Sequence, residues 1–79
     1  MMTKSVFDYS KLRGLLRENS MTLADYAGII GISNTSLYER LANKKAFTQA
    51  EIDVTKRKFN LSADQVDLIF FTAITENRI

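Results

Sequence analysis

The chain of 79 residues contains no cysteine, histidine, proline or tryptophan, and only three glycines. Without cysteine there is no disulfide frame, and without cysteine and histidine the side chains of zinc fingers and of the usual nucleophilic and metal sites are missing. No apolar run approaches the roughly 20 residues that span a bilayer, and MMTKSVFDYSK lacks the apolar core of a signal peptide. We therefore expect a cytoplasmic protein with no catalytic residues, metal, cofactor, small-molecule substrate or membrane contact.

The composition is that of a folded domain, with 46% apolar and 25% charged residues. A chain of this length buries only about 60% of the surface that it exposes when unfolded, so nearly all its apolar residues must serve one core. The net charge of +2 is unevenly distributed, since residues 1–50 carry seven Lys or Arg against four acids and residues 51–79 carry four against five. The basic excess permits an anionic partner for the first part of the chain.

Hydroxyl, Asn and Asp side chains mark the helix starts, because their oxygens accept hydrogen bonds from the unpaired N–H groups of a first turn. Two of these starts, in TQAE and SADQ, have the pattern of a capping box. The predicted starts are Asp8 or Ser10, Thr22, Ser33, Thr48 and Ser62.

Apolar residues recur at helical spacing after each start, and no sustained alternation indicates a strand. The predicted inward positions are Leu12, Leu15, Leu16, Tyr26, Ala27, Ile30, Leu37, Leu41, Ile52, Phe59, Val66, Ile69 and Phe70. We predict an all-α fold of five short helices. It forms one domain over residues 8–74, between a flexible arm (1–7) and a tail (75–79).

Two glycines lie three residues apart in the stretch GIIGIS, residues 28–33. Gly31 follows the last residue of the second helix, where a left-handed conformation ends the helix at little steric cost. Gly28 lies inside that helix, so either its face is exposed or a neighbouring backbone approaches it closely. A phosphate-binding loop would need a preceding strand and a Lys–Ser/Thr or third-glycine continuation, which this stretch does not have.

A helix of about eight residues, a three-residue turn and a second short helix form the pattern of a helix-turn-helix. The small residue Ala27 leaves room where two helices cross, and Ile32 and Leu37 fill the angle between them. An ordinary helical corner would have the same pattern, so the residues alone leave both interpretations open.

The stretch from Thr22 to Asn43, TLADYAGIIGISNTSLYERLAN, resembles the helix-turn-helix of the lambda-repressor-like (Cro/cI, or XRE) transcription regulators. Its continuation, SLYERLANKKAFTQAEI and then FNLSADQVDLIFF, is similar to small phage-encoded repressor and Cro-like proteins of Gram-positive hosts. The resemblance extends from about Asp8 to Phe71. Many family members have Gln where this chain has Leu23, and that Gln contacts a phosphate or the recognition helix. Thr22 is expected to replace part of this contact. The family's common glycine after the recognition helix is matched by Asn43, which tolerates the same backbone.

The resemblance implies a recognition helix over residues 34–42 that lies in the major groove of double-stranded DNA. With Leu37 and Leu41 inward, helical geometry points Thr35, Tyr38, Glu39 and Ala42 outward. Asn34 has the donor and acceptor that pair with adenine, and Thr35 offers a hydroxyl to a base or a methyl to thymine. The predicted DNA-binding residues are Thr22, Asn34, Thr35, Ser36, Tyr38, Lys44 and Lys45.

Several of these residues also have a simpler interpretation. Asn34 and Ser36 suit any first helical turn, Tyr38 could fill the core, and Lys44 and Lys45 could belong to a solvated loop. The carboxylate of Glu39 is repelled by phosphates, so it either accepts a hydrogen bond from a cytosine amine or pairs with Arg40 or a lysine; we assign it no role. The cluster Lys56, Arg57 and Lys58 is interpreted as a solvated face.

The C-terminal stretch DLIFFTAITENRI is more apolar than the last helix of so small a domain requires. Leu68, Phe71 and Ile74 are expected to remain partly outside the core, as a surface for a second copy of the chain or another phage regulator. Two functions therefore remain open. One is a sequence-specific DNA-binding regulator, and the other is a module of the same fold that binds another regulator and has weak or no DNA binding.

Overall fold

The computed structural model describes residues 6–74 and is all-helical, as predicted. The five helices are α1 (Ser10–Glu18), α2 (Leu23–Ile30), α3 (Asn34–Leu41), α4 (Gln49–Lys58) and α5 (Ala63–Phe70). Within residues 6–74 there is no strand, and the extended pairing is limited to one antiparallel bridge between Phe7 and Ala73. No helix in this part of the chain has the length and apolar character needed to cross a bilayer.

The helix starts follow the predicted caps. The side chains of Thr22, Thr48 and Ser62 each form a complete capping box with the residue three positions on, and Ser33 accepts from the Ser36 N–H at 3.1 Å. The first helix is different, because its flanking residue Tyr9 makes no side-chain cap. There the Asp8 carboxylate accepts from the Ser10 N–H at 2.9 Å, and this stabilises the first turn.

Four helices end in the same way, with a left-handed residue just past the helix. These residues are Ser20, Gly31, Asn43 and Asn60. In each case the next N–H donates to the carbonyl five residues back, in the pairs Met21 to Leu16, Ile32 to Ala27, Lys44 to Glu39 and Leu61 to Lys56. This Schellman arrangement pairs carbonyls that a helix end would otherwise leave free. The connections can therefore be short and still well defined.

The core is formed by apolar side chains from every helix except α4. Its buried members are Tyr9, Leu12, Leu16, Tyr26, Ala27, Ile30, Leu37, Leu61, Ile69 and Phe70. On α4 the buried residues are Glu51 and Thr55. The expected inward residues, Ile52 on this helix and Phe59 just past its end, are only partly buried against the core. The helix presents polar side chains to its neighbours because their polar atoms find partners there, as described below.

The two ends of the described chain lie side by side. The Asp8 N–H donates to the Thr72 carbonyl at 2.8 Å, and the Ile74 N–H donates to the Val6 carbonyl at 3.0 Å. Of the predicted arm, residues 1–5 lie outside the described residues, while Val6 and Phe7 take part in this pairing; the tail 75–79 also lies outside. Helix α5 ends at Phe70, so Phe71 and Ile74 belong to the extended segment that follows it.

The two glycines of GIIGIS have different roles. Gly31 has a φ of 81°, as a left-handed turn requires. Gly28 is exposed, and a methyl group added there would meet nothing within 4 Å. The close approach of a neighbouring backbone is thus excluded at Gly28.

We expect Gly28→Ala to raise the free energy of unfolding by about 0.5–1 kcal/mol, because alanine loses less backbone entropy in a helix. The matched variant Gly31→Ala should lower it by about 1–2 kcal/mol, because its side chain is strained at positive φ. Urea denaturation of the two variants measures both changes. If Gly28→Ala were the more destabilising of the two, the assignment of the turn to Gly31 would be wrong.

Candidate nucleic-acid interface

The corner between α2 and α3 is short and tightly packed. Ile30 is the last residue of α2, Gly31 makes the left-handed turn, and Ser33 caps α3. Ala27 is 1% exposed and Leu37 is fully buried, so the two helices are in contact at the corner and hold the core between them. This packing sets which face of the eight-residue helix α3 points to solvent.

The predicted reading residues are largely on that solvent face. Asn34, Thr35 and Tyr38 are exposed, and Tyr38 is 56% exposed, so it does not fill the core. Ser36 is half-buried and belongs to the cap, since its hydroxyl oxygen accepts from the Ser33 hydroxyl at 3.0 Å. Ser36 is therefore less available to a ligand than its neighbours.

One shallow depression brings part of the predicted set together and adds a cation to it. It is lined by Arg13, Thr35, Tyr38, Glu39, Leu41, Ala42 and Lys44. Arg13, on α1, is absent from the residues predicted from sequence. The basic excess of residues 1–50 is the one signal that includes Arg13, and it cannot single out this side chain. Thr22, Asn34 and Lys45 do not line the depression.

Thr22 is engaged at the start of α2. Its hydroxyl oxygen accepts from the Asp25 N–H, and its own N–H donates to the Asp25 carboxylate, both at 3.0 Å. Hydrogen bonds from the Thr22 backbone and side chain hold the pKa of Asp25 below its usual range. A negative charge thus stands beside Thr22 and weakens any phosphate contact there.

Glu39 pairs with a lysine of the following loop and not with Arg40. The Lys45 ammonium lies 3.8 Å from the Glu39 carboxylate, and both side chains are well exposed, so the pair is weak. The backbone N–H groups of Lys44 and Lys45 also donate to the Glu39 carbonyl, at 2.8 and 3.3 Å. The two lysines are therefore held at the C-terminal end of α3, where positive charge is favoured.

Arg40 joins α3 to the start of α4. Its guanidinium donates to both carboxylate oxygens of Glu51, from Nε at 2.8 Å and from Nη2 at 3.0 Å. A third bond runs from Nη1 to the Ser36 carbonyl at 3.3 Å. Paired, charge-assisted hydrogen bonds of this kind fix both distance and orientation. Helix α3 is thus attached to α4 by a forked ion pair that is largely buried.

A polar chain continues from Glu51 to α2. Glu51 also accepts from the Thr48 N–H, and its carbonyl accepts from the Thr55 hydroxyl at 2.9 Å. The Tyr26 hydroxyl lies 2.6 Å from that of Thr55 and donates to it, since the Thr55 proton is already committed. Burial raises the pKa of Tyr26 to about 12, which keeps its hydroxyl a donor. No buried side-chain polar atom among residues 6–74 lacks a partner.

The left-handed Asn43, at the end of α3, holds the N-terminal segment. Its Oδ1 accepts from the Phe7 N–H at 2.9 Å, and its Nδ2 donates to the Phe7 carbonyl at 3.0 Å. One side chain thus supplies both hydrogen bonds that a neighbouring strand would supply. A glycine at this position would allow the same backbone but would leave Phe7 unpaired.

The chain matches no known protein-family model, and no curated protein is significantly similar to it in sequence. Within residues 6–74, no three acidic side chains converge in a way that could hold a metal ion.

We expect Glu51→Gln to lower the free energy of unfolding by about 1–3 kcal/mol, because Arg40 loses its charged partner in a largely buried position. Asp53→Asn is the matched control, since it removes a carboxylate of the same helix whose pair with Arg57 is exposed. Asp53→Asn should change the free energy of unfolding by no more than about 0.5 kcal/mol. Denaturation at neutral pH measures both, and equal losses would contradict the anchoring role of Glu51.

The same pair should make stability depend on pH. Burial opposes ionisation of Glu51, but hydrogen bonds from Arg40 and Thr48 outweigh it and hold the pKa below its ordinary value of 4.5. A lowered carboxyl pKa stabilises the fold above that ordinary value, and the stabilisation is lost as the pH falls through the lowered pKa. The difference in free energy of unfolding between wild type and Glu51→Gln should thus shrink as the pH falls from neutral through 4.5 and below it. A constant difference across this range would refute the assignment.

Proposed function

We propose that this protein is a sequence-specific DNA-binding transcription regulator of the lambda-repressor-like type, a phage or prophage repressor or Cro-like protein that acts in the cytoplasm. The observation that carries the proposal is the exposed polar face of α3, with Arg13 and Lys44 beside Thr35 and Tyr38 in one depression. Helix-turn-helix proteins bind DNA with the N-terminal residues of such a helix at base edges. The α2–α3 corner would be the helix-turn-helix.

The residues of this face divide by the DNA groups they suit. Asn34 has the bidentate geometry for adenine, and Thr35 can contact a base edge or a thymine methyl. Tyr38 would lie against the sugar-phosphate backbone. The cations Arg13, Lys44 and Lys45 would neutralise phosphates, which adds affinity without sequence preference.

The support behind α3 favours a reading role. A helix of only eight residues has little stability of its own, so its orientation must come from what it packs against. Leu37 holds it to the core, and Arg40 holds it to Glu51. Readout of bases needs side chains positioned on a rigid element, and these two contacts provide one.

A second function, binding of another regulator through the same fold, is favoured by two observations. Glu39 lies in the depression beside the cations, where it opposes phosphate. Leu68, Phe71 and Ile74 are each about half exposed, and such apolar surface is typical of a partner site for a second copy or another phage regulator.

We expect Arg13→Gln and Lys44→Gln each to weaken binding to all DNA sequences and to reduce the salt dependence by about one counterion. Lys58→Gln, an exposed lysine at the end of α4, is the matched control and should leave both quantities unchanged. Asn34→Ala should lose about 1–3 kcal/mol of binding free energy, mainly on the cognate site selected from a random DNA pool.

Gel-shift titration at several salt concentrations separates the two functions. Absence of binding to random DNA at low salt would rule out the regulator that reads DNA directly and favour the protein-interaction module. If Asn34→Ala weakened cognate and random DNA equally, base readout by Asn34 would be wrong although DNA binding itself would stand.

A further inference from the structure

Five aromatic side chains from distant parts of the sequence meet in a closed ring. The sequence of contacts runs Phe7, Tyr9, Phe47, Phe70, Phe71 and back to Phe7, with centroid distances of 6.4, 5.3, 5.1, 6.4 and 5.9 Å. Three of the five contacts are edge-to-face, the arrangement that aromatic pairs favour. Tyr9 and Phe70 are buried in the core. Phe7 and Phe47 are partly buried and Phe71 is exposed, so these three side chains offer aromatic surface to a further group.

These rings line a cavity of about 340 Å³, which we call the aromatic pocket. This volume is within the range of about 300–1,000 Å³ that small-molecule sites occupy. Phe71, on one side of the pocket, is 49% exposed, so apolar surface here remains open to solvent.

The charged side chains that line the aromatic pocket are cations, and its one side-chain amide, Asn43, is already bonded to Phe7. Lys44 and Lys45 both line it, and within the described chain no carboxylate does. Lys45 is only weakly engaged by Glu39 at 3.8 Å in solvent, so its charge can turn to a ligand. Small-molecule sites combine an apolar wall with a few polar groups that fix orientation, and here those groups select a negative charge.

We propose that the aromatic pocket binds a small aromatic carboxylate, with its carboxylate on Lys44 and Lys45. Its ring would lie against Phe71 and the partly buried Phe7 and Phe47. Size, apolar wall and charge all point to this class of ligand. The binding would not depend on contact with DNA, although Lys44 also lines the depression on α3.

The test compares 2-naphthoate with the neutral alcohol 2-naphthalenemethanol, using amide chemical shifts of the isotope-labelled full chain. Both ligands have the same fused ring, so the difference between their affinities reports the effect of the negative charge. We expect saturable binding of naphthoate that shifts residues around the aromatic pocket, with about threefold to tenfold higher affinity than the alcohol. Comparable affinities, or no saturable shift of these residues, would overturn the proposal.

Two pairs of variants locate the site. The double variant Lys44→Gln/Lys45→Gln should bind naphthoate and the alcohol equally well. The double variant Lys11→Gln/Lys58→Gln, which makes the same charge change outside the pocket, should keep the preference for naphthoate. Phe71→Ser should weaken naphthoate about fivefold. Leu68→Ser, which alters a similarly exposed residue of α5 that does not line this pocket, should not. All six positions changed in these four variants are exposed, and the amide spectrum of each variant reports its fold.

If both serine variants bound naphthoate as wild type does, the ligand would lie elsewhere and the proposal would be refuted. The comparison of the two ligands on wild type requires no variant, so it decides the question of charge independently.

Discussion

The carboxylate of Glu51 is the point at which three helices are held together. It caps the start of α4, takes both arms of the Arg40 guanidinium from α3 and, through the adjoining carbonyl and Thr55, continues to Tyr26 on α2. A largely buried ion pair adds little stability compared with apolar residues of the same shape, yet removal of one partner is strongly unfavourable. The main effect of this pair is therefore to fix the orientation of α3 relative to α4, which determines which face of α3 is exposed to solvent.

The candidate interface inherits its shape from that arrangement. Its polar side chains come from the exposed side of α3, while the cations beside them come from α1 and from the loop after α3. Arg13 reaches the depression only because α1 packs on the same core that holds Leu37. The face is thus a product of the whole fold and cannot be attributed to the two helices of the corner alone.

What the sequence predicts well are the features encoded within four or five residues. Thr22, Thr48 and Ser62 cap helices because the residue that completes each box lies three positions away, and Gly31 turns because of its own backbone freedom. Pairings between distant positions left no such signal. Arg40 and Glu51 are eleven residues apart, and Asn43 and Phe7 are thirty-six residues apart. No sequence periodicity predicts hydrogen bonds between positions so far apart. On α4 the apolar spacing favoured Ile52, because burial of Glu51 becomes favourable only once Arg40 is in place.

The pairing of residues 6–8 with 72–74 has a consequence for the order in which the molecule folds. It joins positions separated by almost the entire described chain, and closing so long a loop loses more entropy than forming any contact between successive helices. These hydrogen bonds should therefore form last, and in the native state they should open first. Phe7 and Phe71 flank this seam, so the aromatic pocket exists only in the fully folded chain, whereas the corner of α2 and α3 is made from neighbours in sequence. The part of the fold that should form early therefore carries the candidate DNA face, and the part that should form last carries the aromatic pocket.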